Sequence, residues 1–296
     1  MAKKIDLHIH STFSDGRDTV EEIIELAKEN KVEIISLTDH DLISGVDKAV
    51  DLGAQAGIKI IPGIEISTTY RGKLLHILGY FIDIRNKELL NFLNNTTEEK
   101  KKHFRAELIR LNAYLEKERR KKVDTEKYIT EEDKYFSLPG VAFYLHKEGI
   151  FNGINEAFDF LEGKLKTPVL SIEPKDAFRI IKKAGGMSSL AHSLAPKVSL
   201  RKITNDPAEW EKIIADFKND GMDGIECYGF AHSKEEIKTI IEFSKKYNFM
   251  LTAGSDWHGS FEKQEGEAIK KWLPFYTGRF EGIEVSDKIY SYFMEK

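Results

Sequence analysis

The sequence predicts an α/β protein, a parallel sheet closed into a barrel and interrupted by a helical insertion. Three observations lead there. Strand-like and helix-like patterns alternate over the first 83 residues and again from residue 169 onward. Between them, residues 84–168 are rich in mixed charge and carry only a sparse helical stripe of apolar residues. Chemistry-bearing side chains recur at the C-terminal ends of strands in both halves, and those ends must meet, which favours a closed barrel over an open sheet.

Taken in order, Lys4 to His10 alternates, with Ile5, Leu7 and Ile9 on one side and Asp6, His8 and His10 on the other, a period-two strand. Asp18-Thr19 before Glu21-Glu22 marks a helix start, with the stripe Val20, Ile23, Ile24, Ala27. VEIISLT at 32–38 is a β-branched run suited to a buried parallel strand. A helix is predicted from Ile43 to Ala56, stopped by Gly57. Strands follow at 58–67 and 74–81. Phe104, Leu108, Leu111 and Leu115 form the seam of one long helix, further helical patterns fill 138–165, and Thr167-Pro168 closes the insertion. Helices at 174–183, 207–219 and 234–247 then alternate with strands at 186–192, 224–228 and 249–256. The expected organisation is therefore a barrel domain of residues 1–83 and 169–296 with an insertion domain of residues 84–168.

Composition narrows the function. Lys and Arg number 45 against 49 Asp and Glu, a net charge of −4, which argues against a general nucleic-acid coat or a polybasic membrane binder. The one cysteine, Cys227, excludes an internal disulfide framework and a cysteine-rich zinc site. There is no secretory signal pattern and no apolar run of membrane-spanning length, so a cytoplasmic protein with no membrane partner is expected.

The nine histidines carry the functional argument. His8 and His10 stand at i and i+2 of a strand, so both imidazoles point the same way. Asp15 follows in the turn Ser14-Asp15-Gly16. His40 ends the second strand in Thr38-Asp39-His40-Asp41, and Glu65 lies in Gly63-Ile64-Glu65. His76 and His192 lie on later strands, and Asp256 and His258 close the last one in Gly254-Ser255-Asp256-Trp257-His258. Each has an ordinary structural explanation alone: a core imidazole bonded to backbone, a capped turn, a paired carboxylate. All nine held so at one barrel mouth is not credible, because unpaired buried charges cost several kcal/mol each. Six imidazoles and three carboxylates exceed what one ion needs and suit about three divalent ions. About +6 from the ions against −3 from the carboxylates attracts an anion, and bound water acidifies toward a hydroxide nucleophile. Phosphoester hydrolysis follows from that chemistry.

These pieces, His8-x-His10 with Ser14-Asp15-Gly16, Leu37-Thr38-Asp39-His40-Asp41, Pro62-Gly63-Ile64-Glu65, Leu75-His76-Ile77-Leu78-Gly79-Tyr80, Leu190-Ala191-His192 and Gly254-Ser255-Asp256-Trp257-His258-Gly259, resemble the PHP (polymerase and histidinol phosphatase) superfamily. They span the chain in the family's order and are similar to its stand-alone nucleotide phosphatases with a helical insertion. The resemblance implies a distorted (β/α)7 barrel and a trinuclear centre. His8, His10, Glu65 and Asp256 would hold one ion, with Glu65 bridging to a second held by His76 and His192. Asp15, His40 and His258 would hold the third. The resemblance associates such centres with manganese, zinc, iron or magnesium. It also implies a phosphomonoesterase acting on a small phosphorylated metabolite such as AMP or a nucleoside 3′,5′-bisphosphate. The alternatives are a 5′-to-3′ exonuclease on short RNA or DNA oligonucleotides, a histidinol-phosphate phosphatase, and a non-catalytic metal-dependent sensor or scaffold. An amidohydrolase-type barrel also begins with His-x-His but wants a bridging lysine that these strands do not offer. In the insertion, related phosphatases carry basic motifs that grip phosphate. Here Lys102 and Arg105 match the first only in part, with a solvated helix face as the equal alternative, and Leu138-Pro139-Gly140-Val141, with no base, stands in place of the second. Asp39 and Asp41 are assigned to ligand orientation or substrate contact, with turn capping as the equal alternative, His232 to ligand support, and His103 and His146 to the surface.

Overall fold

The structure, a computed structural model, describes residues 3–130, 136–166, 170–196, 198–260 and 279–296. The expected insertion boundary at Thr167-Pro168 lies outside them. The N-terminal part runs β1 (Lys4–Ile9), α1 (Val20–Glu29), β2 (Ile34–Leu37), α2 (Val46–Ala56), β3 (Lys59–Ile60), β4 (Gly63–Tyr70) and β5 (Lys73–Tyr80). Then come α3 (Lys87–Lys117), α4 (Thr125–Thr130), α5 (Leu138–Lys147) and α6 (Ile154–Leu161). The alternation resumes with α7 (Pro174–Lys183), β6 (Met187–Leu190), α8 (Pro207–Asn219), β7 (Gly224–Tyr228), α9 (Lys234–Tyr247) and β8 (Met250–Ala253), and ends with β9 (Ile283–Glu284) and α10 (Asp287–Glu295). The helix start expected near Thr19 is a full capping box. The Thr19 side chain accepts from the Glu22 backbone N–H while the Glu22 carboxylate accepts from the Thr19 N–H.

Among the described residues two sheets form, β3-β2-β1-β9 and β4-β5-β6-β7-β8. The expected parallel pairing holds for β1–β2, β2–β3, β6–β7 and β7–β8, but β4–β5 and β5–β6 are antiparallel. The cause is local. Arg71 and Gly72 both adopt positive φ, 49° and 73°, and this two-residue turn folds β4 directly back on β5 as a hairpin. Parallel bridges Ile9↔Trp257 and His40↔Glu65 join the two sheets where the strands end.

Three apolar clusters surround these strands. One packs α1 and α2 on β1 and β2, and a second packs α7, α8 and α9 on the five-stranded sheet. A third takes Leu7, Ile34, Leu78, Met187 and Ala253 from both sheets and is capped by Ile289, Tyr290 and Phe293 of α10. The charged middle of the chain has its own core, from Phe104 and Leu108 of α3 through Tyr128 and Leu145 to Leu165. Helix α3 belongs to both. Leu89 and Leu93 pack in the cluster of the five-stranded sheet and Phe104 onward in the separate core, so the helix is a strut between them. The long helix read from the sequence thus breaks after Lys117, and α4 turns back on it.

A candidate metal centre

The site is built at the C-terminal ends of β1, β2, β6 and β8 and, against the strand-end expectation, from within β4 and β5, where Glu65 and His76 are the third and fourth residues. Backbone bonds His10 N–H to Trp257 O (2.8 Å) and Trp257 N–H to His8 O (3.1 Å) fix β1 against the segment after β8. Asp41 N–H to Glu65 O (2.8 Å) and Glu65 N–H to Asp39 O (3.2 Å) do the same for the segment after β2 and β4. Asp39 holds the turn that carries Asp15: it accepts from the Ser11 N–H (2.8 Å), the Ser11 hydroxyl (2.7 Å) and the Ser14 hydroxyl. His192, Asp256 and Asp41 sit in left-handed backbone, φ 29°, 55° and 54°, a strain that gathers at functional sites.

The nine residues singled out from the sequence come together. Glu65, fully buried, is the hub. Its Oε1 lies 3.3 Å from His8 Nε2, 3.1 Å from His76 Nδ1 and 3.3 Å from His192 Nε2, and its Oε2 lies 3.2 Å from His10 Nε2 and 3.0 Å from His40 Nδ1. Asp256 Oδ1 is 3.3 Å from His8 Nε2 and 3.2 Å from His10 Nε2. Asp15 Oδ1 is 3.4 Å from His258 Nε2 and 3.9 Å from both His40 Nε2 and His10 Nδ1. The ligand atoms cluster in three groups: His8, His10, Glu65 and Asp256; His10, Asp15, His40 and His258; and His40, Glu65 and His76. The first is the set the resemblance implies. The second adds His10, whose two ring nitrogens face different carboxylates. The third groups His40 with Glu65 and His76, while His192, the partner expected for His76, meets the same Glu65 Oε1 that His76 does.

These residues fit divalent ions. Both Glu65 oxygens, His8 Nε2, both His10 nitrogens and both His76 nitrogens are buried and accept or donate no hydrogen bond. Such atoms are costly unless something else uses their lone pairs. Bonds of about 2.0–2.2 Å to one ion put neighbouring ligand atoms roughly 2.8–3.6 Å apart, and the spacings around Glu65 fall in that range. Protonation tells the same story. Burial opposes charge throughout, yet the carboxylates Glu65, Glu226 and Asp256 hold His8 well above the ordinary imidazole range, and Asp256 with Glu65 and Asp15 raises His10 to about 10. Against the same burial, the imidazoles hold Asp15, Glu65 and Asp256 below the usual carboxylate range. Burial, aided by His40 and His192, lowers His76 to about 4. Protons occupy, in effect, the places that cations would take.

The substrate contacts read from the sequence fare differently. Both carboxylate oxygens of Asp41 are engaged, by the Ser67 N–H (2.8 Å), the Ser67 hydroxyl (2.7 Å) and the Lys100 ammonium. Lys102 is exposed, and Arg105 spends its guanidinium on Glu126 of α4 (2.9 and 3.1 Å). The cation that α3 brings inward is Lys100, 4% exposed. Its place was readable, since it continues the stripe Leu89, Leu93, Thr96 toward Phe104. His232 touches no ligand side chain: Nδ1 bonds Cys227 O and Nε2 accepts from the Leu194 N–H, tying the loop after His192 to β7. His103 and His146 lie away from the centre, bonded to Lys166 O and Phe151 O. Glu226, to which the sequence assigned no role, has a carboxylate oxygen 3.0 Å from His8 Nδ1.

Comparison with known proteins finds relatives that cover nearly the whole chain. A 5′-3′ exoribonuclease from Haemophilus influenzae is 30% identical over 263 residues, covering 87% of this chain and 91% of its own. A phosphoribosyl 1,2-cyclic phosphate 1,2-diphosphodiesterase from Eggerthella lenta is 26% identical, covering 86% and 94%. A 3′,5′-nucleoside bisphosphate phosphatase from Chromobacterium violaceum is 28% identical, covering 87% and 88%. A solved structure from Bifidobacterium adolescentis shares the fold with a TM-score of 0.74 at 22% identity, over 94% of this chain and 98% of that one. The sequence profile of the PHP domain matches residues 6–165, and the chain belongs to the PHP domain family.

Proposed function

We propose that this protein is a metal-dependent phosphoesterase that hydrolyses the phosphomonoester of a small phosphorylated metabolite, a nucleotide of the AMP or 3′,5′-bisphosphate type. The observation that carries it is Glu65, whose two oxygens meet five imidazoles within 3.3 Å with no hydrogen bond to either oxygen. Three ions are inferred, supported by the three ligand groups, with manganese, zinc, iron and magnesium all compatible. Bound there, divalent ions would supply Lewis acidity and a nucleophile from water at neutral pH. The chain's own residues do the rest. Glu65 would hold two of the ions, Asp15 and Asp256 would hold those beside it, and three carboxylates would leave such a centre short of negative charge, so it would draw in a phosphoryl group. A seven-strand distorted barrel belongs to the same proposal. The bridges Ile9↔Trp257 and His40↔Glu65, and the cluster shared by both sheets, support it. So does a separate insertion domain, supported by its own core. The lone Cys227, a buried free thiol, suits a cytoplasmic setting.

The Haemophilus influenzae relative favours a second reading, a 5′-to-3′ exonuclease on short oligonucleotides. One experiment separates the two. Manganese-loaded protein is given nucleoside monophosphates, 3′,5′-bisphosphates and 5′-phosphorylated RNA and DNA oligonucleotides, and products are resolved by chromatography. Phosphate release from the small esters is expected. Mononucleotides released only from oligonucleotides would install the exonuclease instead, and no reaction with any substrate would leave a sensor or scaffold. In the same assay Lys102→Ala and Arg105→Ala raise KM if these side chains swing to substrate and leave it unchanged if the helix face is simply solvated.

A further inference from the structure

We infer that Glu226, in the middle of β7, is a positioning residue that selects which nitrogen of His8 faces the metal centre and ties His8 to His192. The inference rests on the proposed metal centre and extends it to a residue outside the nine. Glu226 is 3% exposed, and one oxygen lies 3.0 Å from His8 Nδ1 while the other accepts the His192 backbone N–H at 2.5 Å. Its own backbone carbonyl accepts from the Ser193 hydroxyl at 3.2 Å. One carboxylate thus holds a side chain of β1 and the backbone of the segment after β6, two ligands from strands that are not neighbours.

The consequence for His8 is chemical. An ionised carboxylate only accepts, so His8 Nδ1 must carry the proton, and the lone pair is left on Nε2. Nε2 is the atom 3.3 Å from both Glu65 and Asp256 and without a hydrogen bond. Carboxylates behind a ligand imidazole act this way in metal sites, fixing tautomer and ring orientation. Gly254 makes the approach possible: a Cβ there would lie 2.2 Å from His8 Cβ and 2.9 Å from the Glu226 oxygen.

Glutamine separates this role from packing. It has the same shape but one donor and one acceptor end, whereas Glu226 meets two donors. If the Gln oxygen keeps His8, its NH2 confronts the His192 N–H. If it keeps His192, its NH2 faces Nδ1, which must then accept, and the proton moves to Nε2 and removes the ligand lone pair.

The test uses the full chain. Metal-free wild type, Glu226→Gln and Glu226→Asp are titrated with Mn2+ by calorimetry. Long-range 15N–1H imidazole spectra of the Zn2+-loaded proteins are assigned against His8→Ala. Expected in the wild type is a His8 protonated at Nδ1 with Nε2 on the ion. Glu226→Gln should weaken the tightest Mn2+ site about 10- to 100-fold. Glu226→Asp, which keeps the charge on a shorter arm, should recover part of it. Wild-type Zn2+ protein with His8 bound through Nδ1 overturns the inference even if no variant folds. So does Glu226→Gln with wild-type affinity and an unchanged His8 spectrum, and that result leaves the metal centre standing. Wild type that binds no metal overturns both.

Discussion

An imidazole offers one lone pair when neutral and none when protonated, so each histidine of the cluster is useful to a cation only in one state and one orientation. His258 shows how the fold makes the choice locally. Its Nδ1 lies 2.8 Å from Asp256 O, so a donated proton there leaves Nε2 facing Asp15. Asp256 faces both His8 and His10, an arrangement that suits the proposed ligand role rather than a turn cap. Asp256→Ala and His8→Ala should each abolish turnover and lower bound metal by at least one ion per chain, measured by elemental analysis on folded protein. Unchanged stoichiometry in Asp256→Ala would remove that residue from the ligand set. The nine candidate ligands were legible because a buried His or carboxyl on or just after a strand has few other uses, and several such strands imply convergence. Glu226 was not, since Gly-Ile-Glu-Cys-Tyr reads as an ordinary alternating strand and its partner lies 218 positions away.

At the scale of elements, the contact that matters is between α3 and the segment after β2. Lys100 and Asp41 are 4% and 3% exposed, and Ser67 of β4 completes the set, its hydroxyl 3.4 Å from the ammonium. Asp41 directly follows the ligand His40, so the strut α3 is fastened beside the metal centre. Removing one partner leaves the other charge buried, which costs about 3–5 kcal/mol. Lys100→Ala should therefore lose about that much stability in urea unfolding, while Lys100→Met with Asp41→Asn loses much less. Asparagine tolerates the left-handed backbone that Asp41 adopts, φ 54°, so the pair of changes tests charge rather than strain. Equal losses from the single and double variants would show the ion pair to be incidental. Within Lys100-Lys101-Lys102 only the helical phase tells which lysine turns inward, and the stripe used to read α3 began at Phe104, one turn too late to include it. The β4–β5 hairpin was missed for a related reason: Arg71-Gly72 is a turn signal, but alternation with helices elsewhere in the chain suggested parallel pairing throughout.

For the whole molecule, the cluster makes folding, protonation and cation binding one linked equilibrium. The alternation of strands and helices was visible in sequence; that β9 pairs with β1 and α10 packs on the cluster shared by both sheets was not, because Ile283–Glu284 is too short to carry a period and α10 is held by packing of Ile289, Tyr290 and Phe293. Without metal, Asp15, Glu65 and Asp256 are held below their unfolded value, so their contribution is present above about pH 4 and is lost as pH falls through the lowered values. His8 and His10 are held above theirs, so their contribution is complete below about pH 6.5 and is lost as pH rises, for His10 toward about 10. His76, lowered to about 4, is neutral in the folded protein over this range and costs stability only below about pH 6.5, where the unfolded chain would protonate it. Metal-free protein should therefore lose cluster stability as pH rises from about 6.5 toward 10. Cations reverse the sign, because they need the imidazoles deprotonated and so bind with proton release. Each tenfold gain in affinity adds about 1.4 kcal/mol of stability when metal is in excess. The rise in Tm on adding Mn2+ should accordingly be larger at about pH 8.5 than at about pH 6, and a chelator should abolish it. Calorimetry in two buffers of different ionisation enthalpy should show protons released at the lower pH. A shift independent of pH, with no proton release, would mean that the added ion binds elsewhere than among these histidines.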